Sequence, residues 1–130
     1  MIMVGAGTGV APFIGFLQER ACRKSQDYSI SPSLLFFGCR FQAQDFYYRS
    51  ELERYTEAGI LEHKDRVWEL LQDGGVIYVC GDANRVASEV RAAFGAVYQA
   101  QTGGSDVQRE AWLNELAVNQ RYILDVWSSK

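Results

Sequence analysis

The chain has 130 residues, the size of one ordinary domain, so a single core is expected. Hydrophobic residues make up 48% and charged residues 22%, a globular balance that excludes disordered, collagen-like and fibrous classes. Thirteen Lys and Arg against sixteen Asp and Glu leave a net charge of −3, without the basic surplus of an electrostatic nucleic-acid binder.

The first apolar run, Ile2–Val4, reads as a buried strand. Because the chain opens directly inside that strand, one lobe of a larger protein is expected. The N-terminus has no basic n-region, and no stretch approaches the ~20 apolar residues of a membrane span. Neither a signal peptide nor a membrane segment is expected. The three cysteines, Cys22, Cys39 and Cys80, are odd in number and widely spaced, which fits a reducing compartment and no metal knuckle. The expected location is cytoplasmic.

After the first strand, Gly5-Ala6-Gly7-Thr8-Gly9 makes a turn that runs straight into a helix over Ala11–Ser25, with Pro12 in its first turn. A strand follows at Leu34–Phe37, then a helix over Gln44–Ala58 and another over His63–Gln72. Val76–Cys80 is the third strand. Asn84 reads as the N-cap of a helix to Gln101, and Gly103-Gly104-Ser105-Asp106 as a turn and cap before a helix over Asp106–Asn119. Tyr122–Trp127 is the last strand. The strands are short, β-branched or aromatic, and they alternate with amphipathic stretches. This order predicts an α/β fold: an open, doubly wound, mostly parallel sheet with helices on both faces.

Four clusters carry chemistry. Glycines in a strand-to-helix turn let a backbone approach a pyrophosphate, and the helix N-terminus favours an anion. Gly7, Thr8 and Gly9 are the candidates, with the Thr8 hydroxyl as an added donor. The spacing is G-x-G-x-G, which also suits a tight turn that binds nothing. At the end of the second strand stands Arg40, where an acidic residue would bind ribose hydroxyls. Arg40 suits a phosphate-bearing ligand, or else a surface pair with Asp45. At the end of the third strand Cys80, Gly81 and Asp82 lie at the edge where open α/β sheets bind ligands. Cys80 there is either poised beside a bound ring or a small buried hydrophobe. Near the C-terminus, Trp127 in Asp125-Val126-Trp127 either plugs the core or stacks on a planar cofactor. His63 reads as a surface residue.

The segments GAGTGVAPFIGFLQER, FFGCR with DFYYRSEL, HKDRVWELL, VIYVCGDA and RYILDVW, in this order, resemble the NADPH-binding lobe of the diflavin reductases. That family, within the ferredoxin–NADP⁺ reductase superfamily, includes reductases of cytochrome P-450 and reductases fused to a fatty-acid monooxygenase. The resemblance covers nearly the whole chain. It implies hydride transfer from NADPH to FAD, then electron flow through FMN to a haem protein such as a cytochrome P-450. It implies that Gly7 and Thr8 contact the pyrophosphate, that Arg40 holds a phosphate, and that Asp82 and Glu89 lie near the cofactor. Cys80 and Asp125 would position the nicotinamide, and Trp127 would cover the flavin. FAD and FMN would belong to the full-length parent only, since the whole of 1–130 reads as a single NAD(P)-binding domain. NADP(H), the parent's flavin domains and a haem protein are the implied partners.

The resemblance has one gap. The family carries a strand and a phosphate loop after the helix ending near Gly59, whereas here Ala58-Gly59-Ile60-Leu61-Glu62 passes almost directly into His63. Helices on opposite faces of a sheet lie about 20 Å apart, while five extended residues reach only ~16–18 Å. A strained link or altered packing is expected, and NADPH-over-NADH preference is left open. The alternative function is a non-catalytic remnant with weak or no nucleotide binding. A methyltransferase-like use of the glycine turn fits worse, because Arg40 stands where an acid would be needed.

Overall fold

The computed structural model describes residues 1–38, 48–61 and 64–128. Its frame is a four-stranded parallel sheet: β1 (Ile2–Ala6), β2 (Leu34–Gly38), β3 (Ile77–Asp82) and β4 (Tyr122–Trp127), in the spatial order β2-β1-β3-β4. The helices are α1 (Ala11–Ser25), α2 (Arg49–Glu57), α3 (Val67–Gln72), α4 (Val86–Thr102) and α5 (Asp106–Val118). Single 3₁₀ turns at Gly7–Val10 and Lys64–Arg66 lead into α1 and α3.

Alternation along the strands divides the core in two. Ile2, Leu34, Ile77, Val79 and Tyr122 face one side, where they pack with Leu70 and Leu71 of α3, Phe94 of α4, and Leu113 and Leu116 of α5. Met3 and Cys80 face the other side, with Phe13, Ile14 and Leu17 of α1 and Leu52 of α2. The sheet is thus covered on both faces, which is why its strands read as nearly continuous apolar runs. Right-handed crossovers explain the distribution. The connection β1-α1-β2 moves one way across the sheet and β3-α4-α5-β4 the other, so their helices take opposite faces.

Polar contacts then fix the helices. Lys24 near the end of α1 donates to the carbonyl of Ala58, which has no partner inside α2. Arg91 of α4 donates to Glu110 Oε2 and Asn114 Oδ1 of α5, each at 2.9 Å. Arg121 reaches Gly75 O at 3.1 Å and so ties the turn after α3 to the start of β4.

Several boundaries differ from the sequence reading. The third helix does not start at His63, which lies outside the described residues; Lys64–Arg66 is a 3₁₀ turn and the α-helix begins at Val67. Asn84 is not an N-cap. Its backbone N–H is taken by Asp82 Oδ1 at 2.8 Å, and α4 begins two residues later, with Arg85 at the cap position and no side-chain cap bond.

The link between α2 and α3 includes Glu62 and His63, which lie outside the described residues. Ile60 and Leu61 remain in the core on the α1–α2 face, whereas Val67 and Trp68 pack on the opposite face. The change of face therefore falls between Leu61 and Val67, and the turn at Lys64–Arg66 lies against β2. Among the described residues no strand pairs with the outer edge of β2.

Candidate functional site

The reversal of direction between β1 and β3 creates a switch point. The chain leaves β1 toward α1 on one face and leaves β3 toward α4 on the other, so their carboxyl ends form the edge at which open α/β sheets bind ligands. Two of the sequence clusters sit at that edge. Gly7, Thr8 and Gly9 follow β1, and Cys80, Gly81 and Asp82 end β3. Parallel register then brings β4 in beside β3: Cys80 pairs with Asp125, Gly81 with Val126 and Asp82 with Trp127.

The turn after β1 has the properties an anion site needs. Gly7 holds φ +56°, a left-handed conformation that glycine adopts at little cost, and nothing stands within 4 Å of where its Cβ would be. Thr8 is exposed. Neither the 3₁₀ turn nor α1 has a side-chain cap, and neither carries an acidic residue in its first turn. The positive end of the helix is therefore opposed by no carboxylate of its own first turn. Gly9, by contrast, is buried and faces the protein: a Cβ there would stand 2.4 Å from the Cys80 carbonyl oxygen.

On the β3–β4 side, Cys80 is 3% exposed and packs with the cluster that includes Val10 and Phe13. Burial, and next the charge of Asp125, push its thiol above the usual range, so the Sγ keeps its proton at neutral pH. Asp125 itself is exposed beside it. Trp127 is 45% exposed, so it does not plug the core. Asp82 holds the turn into α4 through the Asn84 amide. Glu89, in the first turn of α4, is paired with Arg85 Nε at 3.0 Å.

The structure therefore brings together Gly7, Thr8, Gly9, Cys80, Gly81, Asp82, Asp125 and Trp127 along one sheet edge, with Glu89 on the helix that starts there. Arg40, with Cys39 and Asp45, lies outside the described residues. The approach of Gly9 to the Cys80–Gly81 peptide has no signal in the sequence, because it depends on how closely β1 and β3 pair. No group of three or more His, Cys, Asp or Glu side chains suited to a metal occurs among the described residues.

Comparison with known proteins agrees with this fold. A family model described as an oxidoreductase NAD-binding domain matches residues 3–73, more than half of the chain. The NADPH–cytochrome P-450 reductase of Sus scrofa is 38% identical over 98% of this chain, and that of Homo sapiens 35% identical over 98%. A bifunctional cytochrome P-450/NADPH–P-450 reductase of Bacillus subtilis (strain 168) is 37% identical over 98% of the chain. The chain spans only 22% of the length of the first two relatives and 14% of the third. The alignment to the Sus scrofa protein is 151 positions long against 130 residues here, so that relative carries at least 21 residues without a counterpart. The family match begins in β1 and runs through the glycine turn, β2 and the helices that follow it, and on that ground the chain belongs to the oxidoreductase NAD-binding domain family.

Proposed function

We propose that this chain is the NADPH-binding module of a flavoprotein oxidoreductase, passing a hydride from NADPH to FAD and onward to FMN and a haem protein. In this reading the chain forms a single NAD(P)-binding domain, and the flavins are held by other parts of a longer protein. The observation that carries it is the switch point between β1 and β3, with an uncapped glycine turn on one side and Cys80 beside Asp125 on the other.

The residues present fit the nucleotide. A pyrophosphate would lie over Gly7, where there is room, with Thr8 as a hydroxyl donor and the α1 N-terminus opposing its charge. Arg40 would hold a further phosphate. The cofactor supplies the hydride chemistry, while the protein supplies distance, orientation and electrostatics. The buried Cys80 Sγ keeps its proton, so it adds no second negative charge next to Asp125 beneath a bound ring. Asp125 and Asp82 would accept hydrogen bonds from an amide or hydroxyl, and Glu89 would lie near the cofactor. Trp127, half exposed at the end of β4, provides a flat face that a planar ring can cover or displace.

A second reading is a non-catalytic lobe with weak or no nucleotide binding. It is favoured by the 21 or more residues present in the Sus scrofa relative and missing here. Grafting this chain in place of the corresponding lobe of an NADPH–cytochrome P-450 reductase separates the two. NADPH-driven bleaching of the bound flavin, faster than in the same reductase without any lobe, is the result expected. A fully flavin-loaded graft that bleaches no faster than that control contradicts the first reading and leaves the second.

A further inference from the structure

We infer that Gly9 is a positioning residue. It does not hold the ligand but sets how close the phosphate turn sits to Cys80. The inference rests on the nucleotide reading of the switch point.

The two inner glycines of the turn meet different surroundings. Above Gly7 there is open space, whereas a Cβ on Gly9 would stand 2.4 Å from the Cys80 oxygen, 2.9 Å from its carbonyl carbon and 3.4 Å from the Gly81 Cα. All three atoms are backbone, so no flexible side chain can yield. A methyl group at position 9 would have to move back by about 1 Å to reach ordinary contact distance, and the turn or the strand would move with it. Gly5 adds to the constraint. It pairs with Cys80 across β1 and β3, and its own Cβ would stand 3.0 Å from the Val10 Cα. The turn is thus held by backbone contact on two sides, at the level of the thiol.

This spacing matters because a dinucleotide is a molecule of fixed reach. If its pyrophosphate is held at Gly7 and Thr8, the location of its far end relative to Cys80 depends on the gap that Gly9 keeps closed. A displacement near 1 Å in such a geometry can cost about a hundredfold in reaction rate while leaving binding at the anchored end intact.

The test uses the full chain with ADP, which carries adenosine and the pyrophosphate but no nicotinamide, and NADP⁺, which carries the nicotinamide as well. Binding is measured by calorimetry. Because Cys80 is buried, its surroundings are followed through the Cys80 and Gly81 backbone amides by ¹⁵N nuclear magnetic resonance. In the wild-type chain, saturating NADP⁺ should shift these amides at least about fivefold further than saturating ADP does. In folded Gly9→Ala, the ADP affinity should stay within about threefold of wild type, and the additional shift with NADP⁺ should disappear.

A folded Gly9→Ala in which NADP⁺ produces the full wild-type shift overturns the positioning role, since a glycine needed only for packing would leave that shift in the folded fraction unchanged. Gly75→Ala serves as the crowding control. Its Cβ would press on the Leu70 carbonyl oxygen at 2.5 Å, ahead of β3 at the other end of the sheet, so the shift should survive. Should Gly9→Ala fail to fold, the wild-type chain still decides, because NADP⁺ that saturates with no shift at Cys80 beyond that of ADP overturns the inference. If neither ADP nor NADP⁺ binds the wild-type chain, the nucleotide reading falls and the positioning role falls with it.

Discussion

Cys80 and Tyr122 are both buried titratable groups, and each makes a residue-scale prediction. The Cys80 thiol is held above its ordinary range by burial and, secondarily, by Asp125. The folded chain therefore keeps a proton that the unfolded chain releases near pH 8.5. Its stabilising effect is complete below the unfolded value and is lost as pH rises through the folded one, in a window that opens at about 8.5. Urea denaturation at several pH values between 7.5 and 10.5 should show wild type losing more stability than Cys80→Ala; equal losses would contradict the assignment. For Tyr122, the hydroxyl is buried with no hydrogen-bond partner among the described residues. Removing an unsatisfied buried polar group costs nothing in bonding, so Tyr122→Phe should be neutral or stabilising by up to about 1 kcal/mol. A clear loss of stability in the same denaturation measurement would show that the hydroxyl has a partner.

At the scale of elements, capping decides how well sequence and structure agree. The helix α1 was legible at both ends, because a glycine turn and Pro12 mark its start and apolar spacing carries it to Ser25. The start of α5 was legible too. Gly103 takes a left-handed conformation after α4, and Ser105 and Gln108 form a reciprocal capping box. Ser105→Ala should accordingly lower stability by about 1 kcal/mol, read as a fall in the denaturation midpoint; an unchanged midpoint would mean the box contributes nothing. The start of α4 was not legible. Asn84 has a good cap side chain, but Asp82 captures its backbone N–H first and holds the chain in a turn. The competition between those two neighbours is settled by where β3 ends. The candidate site followed the same rule: strand-end clusters were visible as motifs, whereas the Gly9 contact, which crosses from β1 to β3, was not.

For the whole molecule, the alternating elements were enough to give a parallel sheet covered on both faces, because only right-handed crossovers fit that order. The passage from α2 to α3 needed more. A chain that places α2 on the α1 face after β2 is set up to cross outward to a further strand, yet here it turns beside β2 and reaches the opposite face by Val67. The extra residues of the Sus scrofa relative show that longer versions of this domain exist. What the present chain keeps is the switch point between β1 and β3, which does not depend on the outer edge of β2. Nucleotide binding should therefore survive, with the glycine turn as its anchor.

The most direct test is titration of the ¹⁵N-labelled chain with NADP⁺ and with NAD⁺ under identical conditions, followed by nuclear magnetic resonance. Saturable shifts of the Gly7–Val10 and Cys80–Asp82 amides, with smaller changes at the far end of the sheet, are the result predicted. The absence of saturable shifts with either nucleotide, or shifts centred away from the β1–β3 switch point, would contradict the account.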